Sequence, residues 1–433
     1  MIILGINFGH NSSICLIIDN KIIAAIEEEK ISRIKNDFFW PCNAIDRVLA
    51  EYKIDKSDVD IISIQDDTSN LLGKFNIKFR ITRNKFYLIL DFIFRALSYF
   101  KMIKTVPFYN NESFKKIIHQ LGFSNANIQF HDHHLSHAAS AFYTAPFISD
   151  LVITCDGFGG FDSFNFYSPS KNGLNLIKAN SYKISIGQFY SMITSLLGFK
   201  PNRHEGKITG LAAFGKETIL INKFKSLWRY NNDNNLERFP FDDFESINYL
   251  KNTLNKLSLR KRINLMEAGN NILNNYTFNN EIILEFLKNE TRGFSNEDIA
   301  YACQKVSEEI ILDEIKKIHK KNFANNKLKL SLAGGVFANV RINQLIYELD
   351  FVENIFVQPA MTDAGLAMGN AILSSLSTKN NDGLNLNNFM INNTYLGPDY
   401  TKDLDIFIKQ FDNSKIEFRK MTNKSDEIAQ LLY

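Results

Sequence analysis

The most constraining feature of this 433-residue chain is a strand, a glycine-containing turn and an immediate hairpin that occur twice. The first copy runs Ile2 to Asn7, then Phe8-Gly9-His10-Asn11-Ser12, Ser13 to Ile18 and Lys21 to Glu27, with Asp19-Asn20 as the hairpin turn. The second runs Leu151-Val152-Ile153-Thr154-Cys155-Asp156 into Gly157-Phe158-Gly159-Gly160, then Ser163 to Tyr167, the turn Lys171-Asn172-Gly173, and Leu174 to Ala179. A repeat at a spacing of about 150 residues, near the typical domain size, predicts two lobes of one duplicated architecture. The chain, 45% hydrophobic and 22% charged, can bury a large core and is too long for one compact domain.

Backbone N–H groups of such a turn can approach phosphate oxygens, and the arrangement resembles the opening of the phosphate loop in the actin-like, sugar-kinase-like ATPase fold. The expected fold class is therefore α/β, two-lobed, with duplicated mixed sheets and flanking helices. Later segments supply more of the second lobe. A helix over 296 to 321 is capped by Ser295, with Asp298 three residues on, and buries Ile299, Cys303, Val306, Ile310 and Ile318. The strand Leu328 to Leu332 meets Ala333-Gly334-Gly335-Val336-Phe337-Ala338-Asn339, where glycines between strand and helix let a nucleotide approach the backbone. The strand Asn354 to Val357 leads to Asp363 at the head of a small-residue helix, where a capping aspartate is the plainer reading. In Arg203-His204-Glu205-Gly206-Lys207, a lysine beside glycine suits an anion site at a helix N-terminus, or equally a surface lysine beside a packing glycine.

Four of the eight histidines fall within Phe130-His131-Asp132-His133-His134-Leu135-Ser136-His137. Asn127 to Phe130 reads as a strand, and the small and apolar residues from Leu135 to Tyr143 read as a closely packed helix ending before Pro146. His133 and His137 stand one turn apart on that helix and can converge on one ion. A polar helix start with a capping histidine gives the same local pattern, and the glutamate of the zinc-protease motif is absent.

Charge excludes little beyond nucleic acid as a partner, for which a net charge of +3 is too small. Cys15, Cys42, Cys155 and Cys303 show no zinc-knuckle or redox spacing, and their use fits reduced thiols and the cytoplasm. Met1 leads straight into a strand, so no secretion signal is expected. The charged run Glu27 to Asp37 leaves a strand at the end where α/β ligand sites lie, and is equally a solvated face. Between 74 and 104, five basic residues lead into an aromatic-rich stretch in which Asp91 and Arg95 rule out a spanning helix. Residues 86 to 100 there suit contact with a membrane surface, or, more commonly, a helix covering its own domain or a dimer partner.

Taken together, the chain resembles the O-carbamoyltransferases of the nodulation-protein, cephalosporin and aminoglycoside type. The matching pieces, in the family's order, are Gly9-His10-Asn11-Ser12-Ser13, Glu27-Glu28-Glu29 through Arg33 and Lys35, His133 to Ala141, Asp156-Gly157, Gly206-Lys207 through Ala212, Gly334-Gly335, Asp363-Ala364-Gly365 and Tyr395-Leu396-Gly397-Pro398. The resemblance implies a metal held by His133, His137, Asp156 and Asp363, with His134 behind them. Two imidazoles and two carboxylates favour a six-coordinate ion, Fe(II) first, with Mn(II) or Zn(II) as alternatives. It also implies that carbamoyl-adenylate, made from carbamoyl phosphate and ATP, is attacked by a hydroxyl of a sugar or other small-molecule acceptor. His10 matches the family's base, Lys35 and Lys207 match positions near the carbamoyl or phosphate group, and Gly334, Gly335 and Asn339 belong to the adenosine loop.

Two departures from the family pattern matter. Asn11 stands where the family usually has aspartate after the histidine, so the group that orients His10 is expected elsewhere. The C-terminal adenylate-synthesis domain starts at Tyr395 and stops at Tyr433, with a first strand and the opening of one helix at Ser425-Asp426-Glu427-Ile428. The expected organisation is thus a first lobe over 1–149, a second over 150–376, a linker over 377–394 and a truncated domain over 395–433. A separate chain would then supply the missing part. A metal- and nucleotide-binding remnant without turnover is the competing expectation, and a kinase of the same fold is disfavoured by the histidine pair. The acceptor pocket is expected from segments 68 to 110 and 216 to 294.

Overall fold

The computed structural model describes residues 1–65, 111–160, 162–171, 173–238, 283–324, 326–378, 389–401, 404–410, 415, 418 and 421–433. The aromatic stretch 86–100 lies outside them, as does most of the segment assigned to the acceptor pocket.

Both hairpin copies form at the places their sequence marks. The first sheet contains β1 (Ile2–Asn7), β2 (Ser13–Ile18), β3 (Lys21–Glu27), β4 (Ile61–Gln65) and β5 (Asn127–His131), in the order β3-β2-β1-β4-β5. Asp19 and Asn20 both take positive φ, 49° and 63°, as a two-residue hairpin turn that follows strand twist requires. The second sheet contains β6 (Leu151–Gly159), β7 (Asp162–Ser170), β8 (Gly173–Ser181), β11 (Leu328–Ala333) and β12 (Val352–Val357); a separate ribbon joins β9 (Trp228–Tyr230) to β10 (Leu236–Arg238). Its order, β12-β11-β6-β7-β8, is the first order read backwards. In each sheet the opening strand is flanked on one side by an antiparallel two-strand meander and on the other by two later strands that run parallel to it. This duplicated mixed sheet is the actin-like, two-lobed arrangement expected from the sequence.

Two helices lie between the sheets, and each covers the sheet of the other half. The His133–Thr144 helix follows β5 but packs on β6 and β11, whereas the Leu366–Ser377 helix follows β12 but packs on β1, β2 and β4. Ala138, Ala139 and Ala141 on the first helix, and Ala367, Ala371 and Ile372 on the second, share one buried cluster with Ile3, Ile17, Val152 and Ala333. Small side chains let the backbones touch. A Cβ on Gly369 would overlap the Ser136 carbonyl oxygen, and one on Gly5 would overlap the Ala367 carbonyl oxygen. Polar groups close the seam: Ser63 Oγ donates to Asn370 O at 2.7 Å, and Ser136 Oγ donates to Asn370 Oδ1 at 2.6 Å. Gly369→Ala gains helix propensity of at most about 1 kcal/mol but forces two backbones apart. The expected net loss is roughly 2 kcal/mol or more, read as a lower urea midpoint; an unchanged midpoint would mean that the helices separate at little cost.

The long helix Asn296–Asn322 is capped by Ser295, whose Oγ accepts from Asp298 N–H at 3.1 Å, and its buried stripe is the one its periodicity predicts. None of the four cysteines forms a disulfide, and Cys15, Cys155 and Cys303 are buried. Among the described residues no helix is long and apolar enough to cross a membrane. Residues Met1–Leu396 form one compact unit and Gly397–Tyr433 a second. In the second, the described residues form helices Leu404–Ile408 and Lys424–Leu432; the expected first strand is not among the described residues.

Candidate metal centre

Three strand ends and one helix build the site. After β5, Asp132 caps the His133–Thr144 helix by accepting from Leu135 N–H at 2.8 Å, so the histidines are not caps and remain available. His133 and His137 then face the same way, with ring centroids 4.9 Å apart. At the C-terminal end of β6 the pairing to β7 slips between Cys155 and Gly159, an irregularity of the kind that re-aims a side chain. Asp156 lies in this slip. Its Oδ1 accepts from Gly157 N–H at 2.6 Å, leaving Oδ2 toward His137 Nε2 at 3.2 Å and His133 Nε2 at 3.5 Å. Past β12, the side chain of Thr362 caps the turn Asp363–Gly365, and Asp363 Oδ1 lies 3.6 Å from His137 Nε2 and 3.8 Å from His133 Nε2. The plainer reading of Asp363 as a cap therefore gives way. Gly159 makes room for the cluster, since a Cβ there would overlap the His133 ring.

One donor atom from each of His133, His137, Asp156 and Asp363 lies within 4.8 Å of the other three. With metal–ligand bonds of about 2.1 Å, neighbouring donors sit about 3.0 Å apart in an octahedral site and about 3.4 Å apart in a tetrahedral one. The nitrogen-to-oxygen separations here need to contract by only a few tenths of an ångström on average, so the residues fit a single divalent ion. Burial alone would push the Asp156 carboxyl up, but hydrogen bonds from His133 and His137 outweigh it and hold it well below the usual range. The carboxylate is thus ionised and ready to bind a cation. His134 points the other way, its Nδ1 2.8 Å from Thr154 Oγ1, and burial pushes it down to about 3. His131 bonds Ser374 Oγ at 2.8 Å and is structural.

The remaining candidates lie in separate local settings. His10 is exposed on the first glycine loop, which Asn7 holds by donating to the His10 and Asn11 carbonyls at 2.8 and 3.0 Å. His10 Nε2 lies 2.9 Å from the carbonyl oxygen of Asn202, in the second half. Lys35 Nζ is 2.6 Å from Glu29 Oε1, and Glu29 Oε2 accepts from Asn36 N–H at 2.7 Å. Burial pushes Glu29 up, yet its bonds to Lys35, Asn36 and Lys30 prevail and hold it down to about 2, so Lys35 is tethered by a fixed anion. Lys207, in the first turn of the Glu205–Ala212 helix, places Nζ 5.2 Å from the Phe199 ring centroid. Gly334, at φ 101°, donates to Met361 O at 2.7 Å, and a Cβ on it would overlap Cys155; a Cβ on Gly335 would come within 3.1 Å of Asp156 Oδ1. These glycines bring the second loop against Asp156. Asn339 accepts from Ile342 N–H as a helix cap, and its Nδ2 donates to Gln304 Oε1 at 2.7 Å. Sequence reasoning found the four metal candidates but missed Asn202 and Gly159, which only distant contacts reveal.

A family model described as the carbamoyltransferase N-terminus matches residues 2–372. The uncharacterized protein MJ1058 of Methanocaldococcus jannaschii is 26% identical over 480 residues, covering 99% of this chain and 71% of that protein. Nodulation protein NolNO of Sinorhizobium fredii is 25% identical over 400 residues, covering 92% of this chain and 50% of that protein. The chain thus spans between half and about seven-tenths of the length of these two relatives. Component A of the (R)-2-hydroxyglutaryl-CoA dehydratase of Acidaminococcus fermentans is similar at 14% identity, with a TM-score of 0.45, over 87% of this chain and 99% of that one.

Proposed function

The chain belongs to the carbamoyltransferase family through the family's N-terminal part, and from that premise we propose that it transfers a carbamoyl group from carbamoyl-adenylate to a hydroxyl of a sugar or other small-molecule acceptor. The observation that carries this reading is the convergence of His133, His137, Asp156 and Asp363 on one ion-sized space. A divalent ion there, Fe(II) before Mn(II) or Zn(II), would supply Lewis acidity toward the carbamoyl carbonyl. Carbamoyl phosphate and ATP would be the source of the adenylate.

The protein's own groups carry the rest of the reaction. The Asn202 carbonyl can only accept a hydrogen bond, so a neutral His10 facing it carries its proton on Nε2 and its lone pair on Nδ1. Nδ1 takes the proton of the acceptor hydroxyl as its oxygen bonds to the carbamoyl carbon. The bond from that carbon to the phosphate oxygen then breaks, and AMP leaves with the electron pair. Lys35 and Lys207 are the cationic groups for the carbamoyl and phosphate oxygens, and the loop from Gly334 and Gly335 to Asn339 is where the adenosine would lie.

The test is transfer itself. Protein loaded with Fe(II) and given freshly prepared carbamoyl-adenylate with a panel of monosaccharides and aminocyclitols should form a carbamate ester, seen by mass spectrometry, together with AMP. Adenylate binding with no acceptor-dependent release of AMP would instead identify a binding remnant without turnover.

A further inference from the structure

The His10 side chain is exposed on the first glycine loop, and a base must present its lone pair in a fixed direction. The residue after it, Asn11, is uncharged, at φ 53°, and cannot act as an anionic partner. The second half provides an alternative. Asn202 adopts φ 60°, a left-handed conformation that asparagine tolerates, and it turns its carbonyl oxygen to His10 Nε2 at 2.9 Å. This carbonyl is held from behind. Glu205 Oε1 accepts from Asn202 N–H at 2.5 Å and from Ser191 Oγ at 2.7 Å, and the Ser191 hydroxyl also lies 3.1 Å from Asn202 Oδ1. Ser191 is buried on the Ile186–Leu196 helix, and Glu205 opens the next helix, so both anchors belong to regular structure.

We infer that Glu205, with Ser191, is a positioning residue for His10: it clamps the Asn202 loop so that the Asn202 carbonyl fixes the imidazole as its Nε2–H tautomer, with Nδ1 toward the acceptor. Its Oε1 does this by accepting from Asn202 N–H and Ser191 Oγ together, which the side-chain oxygen of glutamine could also do and alanine could not. As His10 takes a proton its Nε2–H becomes a stronger donor, so the bond to Asn202 tightens during transfer. Glu205 touches neither substrate nor reacting atom. The inference rests on His10 being the base.

Two readouts separate the inference from that premise. In protein labelled with 15N-histidine, the His10 ring signals, assigned by their loss in His10→Asn, should report a pure Nε2–H tautomer in the wild type and in Glu205→Gln. In Glu205→Ala they should move toward the mixture of free imidazole. Unchanged signals in Glu205→Ala would overturn the clamp whatever the catalytic result. For transfer of the carbamoyl group, Glu205→Ala should lose about 10- to 100-fold in kcat with little change in KM, and no more than about twofold in the His10→Asn background. Equal losses in both backgrounds would also overturn it. A tautomer shift without any effect of His10→Asn on transfer would leave the clamp standing and remove His10 as the base. If Glu205→Ala does not fold, Ser191→Ala tests the same clamp with the same expectations.

Discussion

Purified wild-type protein should bind about one equivalent of a divalent ion, and His137→Ala should bind it more than roughly 100-fold more weakly, beyond what losing an outer hydrogen-bond partner of a ligand costs. His137 is fully buried with Nε2 toward both carboxylates. Its removal leaves Asp156 and Asp363 with His133 alone, three donors where a labile octahedral ion needs more. Binding should also show in stability: at a free ion concentration about 100 times the Kd, the native state gains about 2.7 kcal/mol. Adding Mn(II) should therefore raise the Tm of the wild type and leave that of His137→Ala almost still. Equal metal content in the two proteins would sink the assignment, provided circular dichroism shows that both are folded.

His10→Asn should lower transfer from carbamoyl-adenylate by roughly 10²-fold or more while leaving the melting temperature nearly where it was. The side chain is exposed and makes one hydrogen bond across the halves, to Asn202. A bond of that kind contributes about 0.5–1.5 kcal/mol, and asparagine can replace part of it. The shape of the loop comes instead from buried Asn7, itself held by Gln65 at 2.6 Å, and neither is touched by the substitution. A parallel fall in transfer and in melting temperature would make His10 a structural residue.

Much of the fold was legible because its signals are short-range. Short apolar runs broken by Asp19-Asn20, or by glycine, mark the hairpins, and the second copy repeats the first. His133 and His137 were legible as a pair because helix geometry alone brings i and i+4 together. Asp156 and Asp363 were not legible in this way. Nothing near either in sequence is cationic, and their place beside the histidines came from a family resemblance before the geometry supplied a reason. The Asn202 carbonyl was beyond reach, since its bond to His10 spans 192 positions and involves a backbone atom that any residue type could offer. Gly159 was read as part of a phosphate-type turn, whereas in the structure its missing side chain is where an imidazole lies.

The crossing of the two inner helices bears on how this protein is made. The first sheet is complete in sequence once His131 has been synthesised, but the helix that seals its inner face, with Ala367, Ala371 and Ile372 against Ile3, Ile17 and Ile61, ends at Ser377. At a translation rate of about 5–20 residues per second, the cover reaches the ribosome exit roughly 10–50 s after the sheet it belongs to. During that interval the nascent chain presents a β-rich apolar surface with no partner of its own, a natural client for a ribosome-associated chaperone. The same delay makes the last turns of the Leu366–Ser377 helix, far from any chemistry, the place where a premature stop would leave the whole first lobe prone to aggregate.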